Sequence, residues 1–184
     1  MVLHEKGVDF DTYEVDLKNK SEEFLSVSPT GKVPVVVVDG DSLYESNVVN
    51  QYLDEVHATT PLLPEDPKER AYARIWMAYA DGEFFPALFR SLVGAERGFT
   101  EEQVQEARLK LDDVLAKLEE RLTDREYLAG SGTGAYSLAD IAYAGNFSRL
   151  REMQESGQLS RGDYPNLSAW VERVEARKSY QAAL

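Results

Sequence analysis

Three prolines, Pro61, Pro64 and Pro67, stand within seven positions of one another, and they set the plan of the whole chain. Proline can neither continue a helix nor donate to a sheet, so His57-Ala58-Thr59-Thr60-Pro61-Leu62-Leu63-Pro64-Glu65-Asp66-Pro67 reads as a connector. The halves it joins differ in grammar. Residues 1–57 alternate short helix and strand signals, whereas residues 67–184 read as helix after helix. The expectation is an α/β N-terminal domain over 1–57, a linker over 58–66 and an all-α helical bundle domain over 67–184.

In the first half, Met1 to Lys6 resembles the end of a helix stopped by Gly7, a residue suited to a left-handed cap. Val8 to Leu17 places Phe10, Tyr13, Val15 and Leu17 among acids and predicts a strand. Ser21 caps a short helix. The β-branched run Val33–Val38 predicts a strand, Asp39-Gly40 a tight hairpin, and Ser42-Leu43-Tyr44 the return. Ser46 can cap the next helix, whose apolar residues Val48, Val49, Tyr52, Leu53 and Val56 recur at helical spacing. In the second half, Pro67 suits the first turn of a long helix that Pro86 should kink. Leu111, Val114, Leu115, Leu118 and Leu122 form a buried stripe, and a final pair of helices opens at Tyr164-Pro165, with Trp170 and Val174 facing inward.

Composition removes several classes of chemistry. There is no cysteine, so disulfides, thiolate metal sites and cysteine nucleophiles are excluded within these residues. Two histidines, His4 and His57, make a histidine metal cluster unexpected, and no metal is expected. The net charge is −13, with 4 Lys/Arg against 12 Asp/Glu in residues 1–57, which disfavours nucleic acid as a partner. No run approaches the roughly 20 apolar residues of a membrane helix, and the first residues lack a signal-peptide pattern, so a cytoplasmic location without membrane attachment is expected.

The most specific motif is Gly31-Lys32-Val33-Pro34-Val35, followed eleven residues after Pro34 by Glu45-Ser46. In thioredoxin-like folds a proline entering a strand adopts the cis peptide bond, which exposes the backbone N–H and C=O of the preceding residue to a ligand. Val33 would offer both groups to a peptide, as a strand edge does. Ser46 at a helix start can hold a carboxylate through its hydroxyl and N–H, aided by the helix dipole. Glu45 can face an ammonium. A carboxylate and an ammonium on one carbon, joined to a cysteinyl amide, describe the γ-glutamyl end of glutathione. Singly, Val33-Pro34 also reads as an edge strand and Ser46 as a plain helix cap; the order and spacing of both favour the ligand.

With Ser28-Pro29-Thr30-Gly31-Lys32-Val33-Pro34-Val35, Leu43-Tyr44-Glu45-Ser46-Asn47-Val48-Val49, Tyr52-Leu53 and Pro61-Leu62-Leu63-Pro64, the chain resembles the cytosolic glutathione S-transferase superfamily. Ser137-Leu138-Ala139-Asp140-Ile141-Ala142 extends the resemblance, as an N-capping box with a buried, structural aspartate. The style is similar to bacterial transferases and to the stringent starvation protein A branch. The resemblance implies a thioredoxin-like N-terminal domain, an all-helical C-terminal domain and a homodimer, with Lys32, Val33, Glu45 and Ser46 binding glutathione. It implies an enzyme of detoxification type that conjugates glutathione, as co-substrate, to an apolar electrophile; most of Tyr72, Trp76, Tyr79, Phe84, Phe85 and Phe89 read as core and dimer packing, and the resemblance implies that a minority line the electrophile's pocket. The alternatives are a non-catalytic binding or regulatory protein of the stringent starvation type, and a structural domain without ligand.

That family begins with a strand and a loop carrying Tyr, Ser or Cys, which lowers the glutathione thiol pKa from about 8.5. Residues 1–184 enter inside the following helix, so no residue matches the catalytic position. The strand would lie between those expected at Val8–Leu17 and Val33–Val38, and its loss would leave two rows of unpaired backbone groups at about 1–3 kcal/mol each. A start codon placed too late, or an upstream segment beyond these residues, is favoured over a degenerate fold that repaired the gap.

Overall fold

Helix α1 (Val2–Lys6) is closed by Gly7 in the left-handed conformation, φ 63°. A side chain would be strained there, and glycine is not. Helix α2 (Glu22–Val27) starts at Ser21, whose hydroxyl accepts from the Phe24 N–H at 3.1 Å. The β-branched run becomes β1 (Val35–Val38) and returns as β2 (Asp41–Tyr44). Asp39 and Gly40 between them both have positive φ, 52° and 92°, as a two-residue hairpin turn requires. The strands pair antiparallel from Val35↔Tyr44 to Val38↔Asp41. Helix α3 (Ser46–Val56) follows, burying Val49 and Leu53. The computed structural model describes residues 1–157 and 164–183, in two compact units, Met1–Pro61 and Leu62–Leu184.

An ion pair ties the first unit together. Lys6 Nζ reaches Asp54 Oδ1 on α3 at 2.5 Å and the Thr60 carbonyl at 2.7 Å, with the lysine side chain fully buried. Removing one partner of such a pair strands a buried charge, at about 3–5 kcal/mol.

The alternating stretch Val8–Leu17 is not the strand its pattern predicts. Residues 8–16 make no strand pairing, and Phe10, Tyr13 and Leu17 are 40%, 62% and 57% exposed. A strand exists through a neighbour's hydrogen bonds, and among the described residues β1 has one strand neighbour, β2. A groove of about 500 Å³, lined by Phe10, Tyr13 and Val15 and by Val35 and Val37 of β1, occupies the place of such pairing.

The second unit opens with α4 (Pro67–Tyr79), capped by Asp66, whose carboxylate accepts from the Lys68 and Glu69 N–H groups, with Pro67 at the first position. A π-helical turn over Ala80–Phe84 breaks the helix before α5 (Phe85–Val93), which carries Pro86 in its first turn. Proline brings no N–H to the ladder, which places the break where the sequence predicts a kink. Helix α6 (Glu101–Arg121) starts at a Thr100/Gln103 capping box and buries Leu111, Val114, Leu115 and Leu118. Then come α7 (Leu138–Ala144), α8 (Phe147–Glu155), α9 (Pro165–Glu175) and α10 (Lys178–Gln181). Between α6 and α7 lies a glycine-rich reversal, where Ala129 bridges Ala135. Gly134 there has φ 89°, and a Cβ would meet the Tyr127 carbonyl at 2.5 Å.

Asp140 is the hub of this unit. Its Oδ2 accepts from the Ser137 N–H at 2.9 Å and the Ser137 hydroxyl at 3.0 Å. Its Oδ1 accepts from the Leu128 N–H at 3.0 Å and Trp170 Nε1 at 2.8 Å. Burial pushes the carboxyl up to about 6, against the pull of these donors. Replacing it leaves several buried donors unmet at about 1–3 kcal/mol each. Asp140→Ala should therefore lose at least about 3 kcal/mol of unfolding free energy in urea titration, and a loss under about 1 kcal/mol would refute the hub.

Candidate functional site at the hairpin end

Hairpin register assembles this site. Val35 faces Tyr44 at the last pair of the ladder. Beyond that pair the chain continues on one side into Pro34 and Val33, and on the other into Glu45 and Ser46. Residues twelve and thirteen apart in sequence are thus delivered to one end of one hairpin. Lys32, Val33, Glu45 and Ser46 are all exposed there. The Val33–Pro34 peptide bond is cis.

The approach to Val33 is held from below by Ser28. Its side chain is buried, its hydroxyl donates to the Lys32 carbonyl at 3.0 Å, and its carbonyl accepts from the Gly31 N–H at 3.1 Å. Gly31 takes φ 63°, the left-handed turn that reverses the chain into Lys32. Ser28 carries no ligand role in the sequence reading, although Ser28-Pro29-Thr30-Gly31 is a turn signal that could have identified it as a positioning residue.

Glu45 adopts φ 66° and ψ 106°, a sparsely populated region for a residue with a side chain. Such backbone strain is sustained where the surrounding structure fixes it, and here both flanks are fixed, by β2 and by α3. Its carbonyl accepts from the Val48 and Val49 N–H groups at 2.9 and 3.0 Å, so Glu45 takes the N-cap position. Ser46 is therefore the first residue of the helix and not its cap, which corrects the sequence expectation. No side-chain cap hydrogen bond is made. The physical reason is the Glu45 dihedral: the chain enters the helix one residue earlier than residue preferences suggest.

Chemically, this end can hold a zwitterionic head and a peptide. A hydroxyl and an N–H at the positive end of the α3 dipole suit a carboxylate. The Glu45 carboxylate beside them suits an ammonium, and the Lys32 ammonium suits a second carboxylate. Val33, 47% exposed, can pair through its backbone with an extended peptide. Among the described residues no group of histidines and acids has the arrangement of a metal site. No helix among them is long and apolar enough to cross a membrane. Of the aromatic residues on α4, α5 and the turn between them, Phe84 is fully buried, whereas Tyr72, Phe85 and Phe89 are about two-fifths exposed.

Two family models match the chain: glutathione S-transferase, N-terminal domain, over residues 1–56, and glutathione S-transferase, C-terminal domain, over residues 79–178. Glutathione S-transferase U19 of Arabidopsis thaliana is 33% identical over 187 residues, covering 100% of this chain and 82% of the relative. Glutathione S-transferase F14 of the same plant is 36% identical over 193 residues, covering 97% and 74%. Among solved structures, a sphingomonad glutathione S-transferase complexed with glutathione superposes with TM-score 0.84 at 27% identity, covering 100% of this chain and 89% of that one. The glutathione S-transferase of Methylobacillus flagellatus with glutathione bound gives TM-score 0.85 at 28% identity, covering 98% and 89%.

Because Ser46 makes no cap bond, Ser46→Ala should change unfolding free energy by less than about 0.5 kcal/mol, whereas Ser21→Ala, which removes a real cap, should cost about 1 kcal/mol. Urea titrations of the two variants check this, and equal losses would restore Ser46 as a cap.

Proposed function

Since this chain belongs to the glutathione S-transferase family, we propose that it binds glutathione at the hairpin end of its first unit and transfers the thiolate to an apolar electrophile. The observation that carries the reading is the Val35↔Tyr44 register, which sets a free peptide edge beside a helix start bearing a hydroxyl and an acid. It is supported by relatives named as transferases and by similar structures that hold glutathione.

In this reading Ser46 holds the γ-glutamyl carboxylate through its hydroxyl and N–H, and Glu45 faces the ammonium on the same carbon. Val33 pairs with the cysteinyl amide, and Lys32 takes the glycine carboxylate. The bound thiolate gives its electron pair to the electrophilic carbon, a C–S bond forms, and the leaving group departs with the pair of the bond it breaks. The residue that stabilises the thiolate is not assigned to any side chain of residues 1–184. The protein acts as a cytoplasmic homodimer, a reading favoured by the exposed apolar residues Val48 and Val56 on α3 and Tyr72 and Ile75 on α4.

Calorimetric titration of glutathione into the wild type and Ser46→Ala tests the site. Losing a charge-assisted hydrogen bond worth about 1.5–3 kcal/mol should weaken binding by roughly one to two orders of magnitude, with the circular dichroism spectrum unchanged. Equal affinities would place the pocket elsewhere. Glutathione binding without turnover of an activated chloronitrobenzene would favour the non-catalytic, regulatory alternative. Light scattering at micromolar concentration should give twice the chain mass, and a monomer would refute the dimer.

A further inference from the structure

We draw no further inference here: the strongest candidate, the cavity of about 530 Å³ between α4 and α6 lined by Ile75, Trp76, Tyr79, Lys117, Glu120 and Arg121, includes the exposed Ile75 that the proposed homodimer surface already uses, and nothing in the structure shows what covers it.

Discussion

A single carboxylate, Asp140, sets the geometry on which the helical unit depends. Its two oxygens receive four donors from three places in the sequence: Ser137 at the start of α7, Leu128 just before the glycine-rich reversal, and Trp170 on α9. Apolar burial alone is non-directional and would allow these elements to slide against one another. Hydrogen bonds to a buried carboxylate are directional and expensive to leave unmade. Trp170, anchored this way, stacks edge-on against Tyr143 and Phe147, so the polar anchor fixes the aromatic core as well. Burial raises the Asp140 carboxyl to about 6 against the pull of the four donors.

In the first unit, α3 and the buried Lys6–Asp54 pair stand beside the hairpin of β1 and β2. Lys6 also binds the Thr60 carbonyl, so the same ammonium holds the start of the unit, its main helix and the chain near its end. Because both charges are buried and mutually satisfied, the pair specifies position more than it adds net stability.

Much of this was legible in sequence, and the failures share a cause. Gly7, Ser21, Asp39-Gly40, Pro67 and Ser137/Asp140 act over four residues or fewer, and each is found in its expected role. Asp140's other partners lie 12 and 30 residues away, and Asp54 lies 48 from Lys6, distances over which residue pattern carries no signal. Val8–Leu17 shows the limit of periodicity. Alternation says which side chains could share a face, but a ladder also needs a neighbour, and β1 pairs only with β2 among the described residues. At Ser46 the preference of serine for caps misleads: the strained Glu45 backbone starts the helix one residue earlier, and no side-chain cap bond forms.

These differences separate what keeps the fold from what makes the site. Lys32, Val33, Glu45 and Ser46 are exposed and contribute little burial. What they need is position, which comes from the ladder between Val35 and Tyr44 and from the Ser28 contacts behind Lys32. Side chains at the hairpin end can therefore change without disturbing the core, whereas a slip of one residue in the ladder would turn every side chain of one strand to the opposite face. The four β1 valines are nearly interchangeable to their surroundings, so they cannot set the register themselves. The two-residue turn at Asp39-Gly40 sets it at one end and the α3 entry at Glu45 sets it at the other. The strained Glu45 backbone is thus the point where the demands of the sheet and of the helix meet, and the ligand-binding groups are arranged on either side of it.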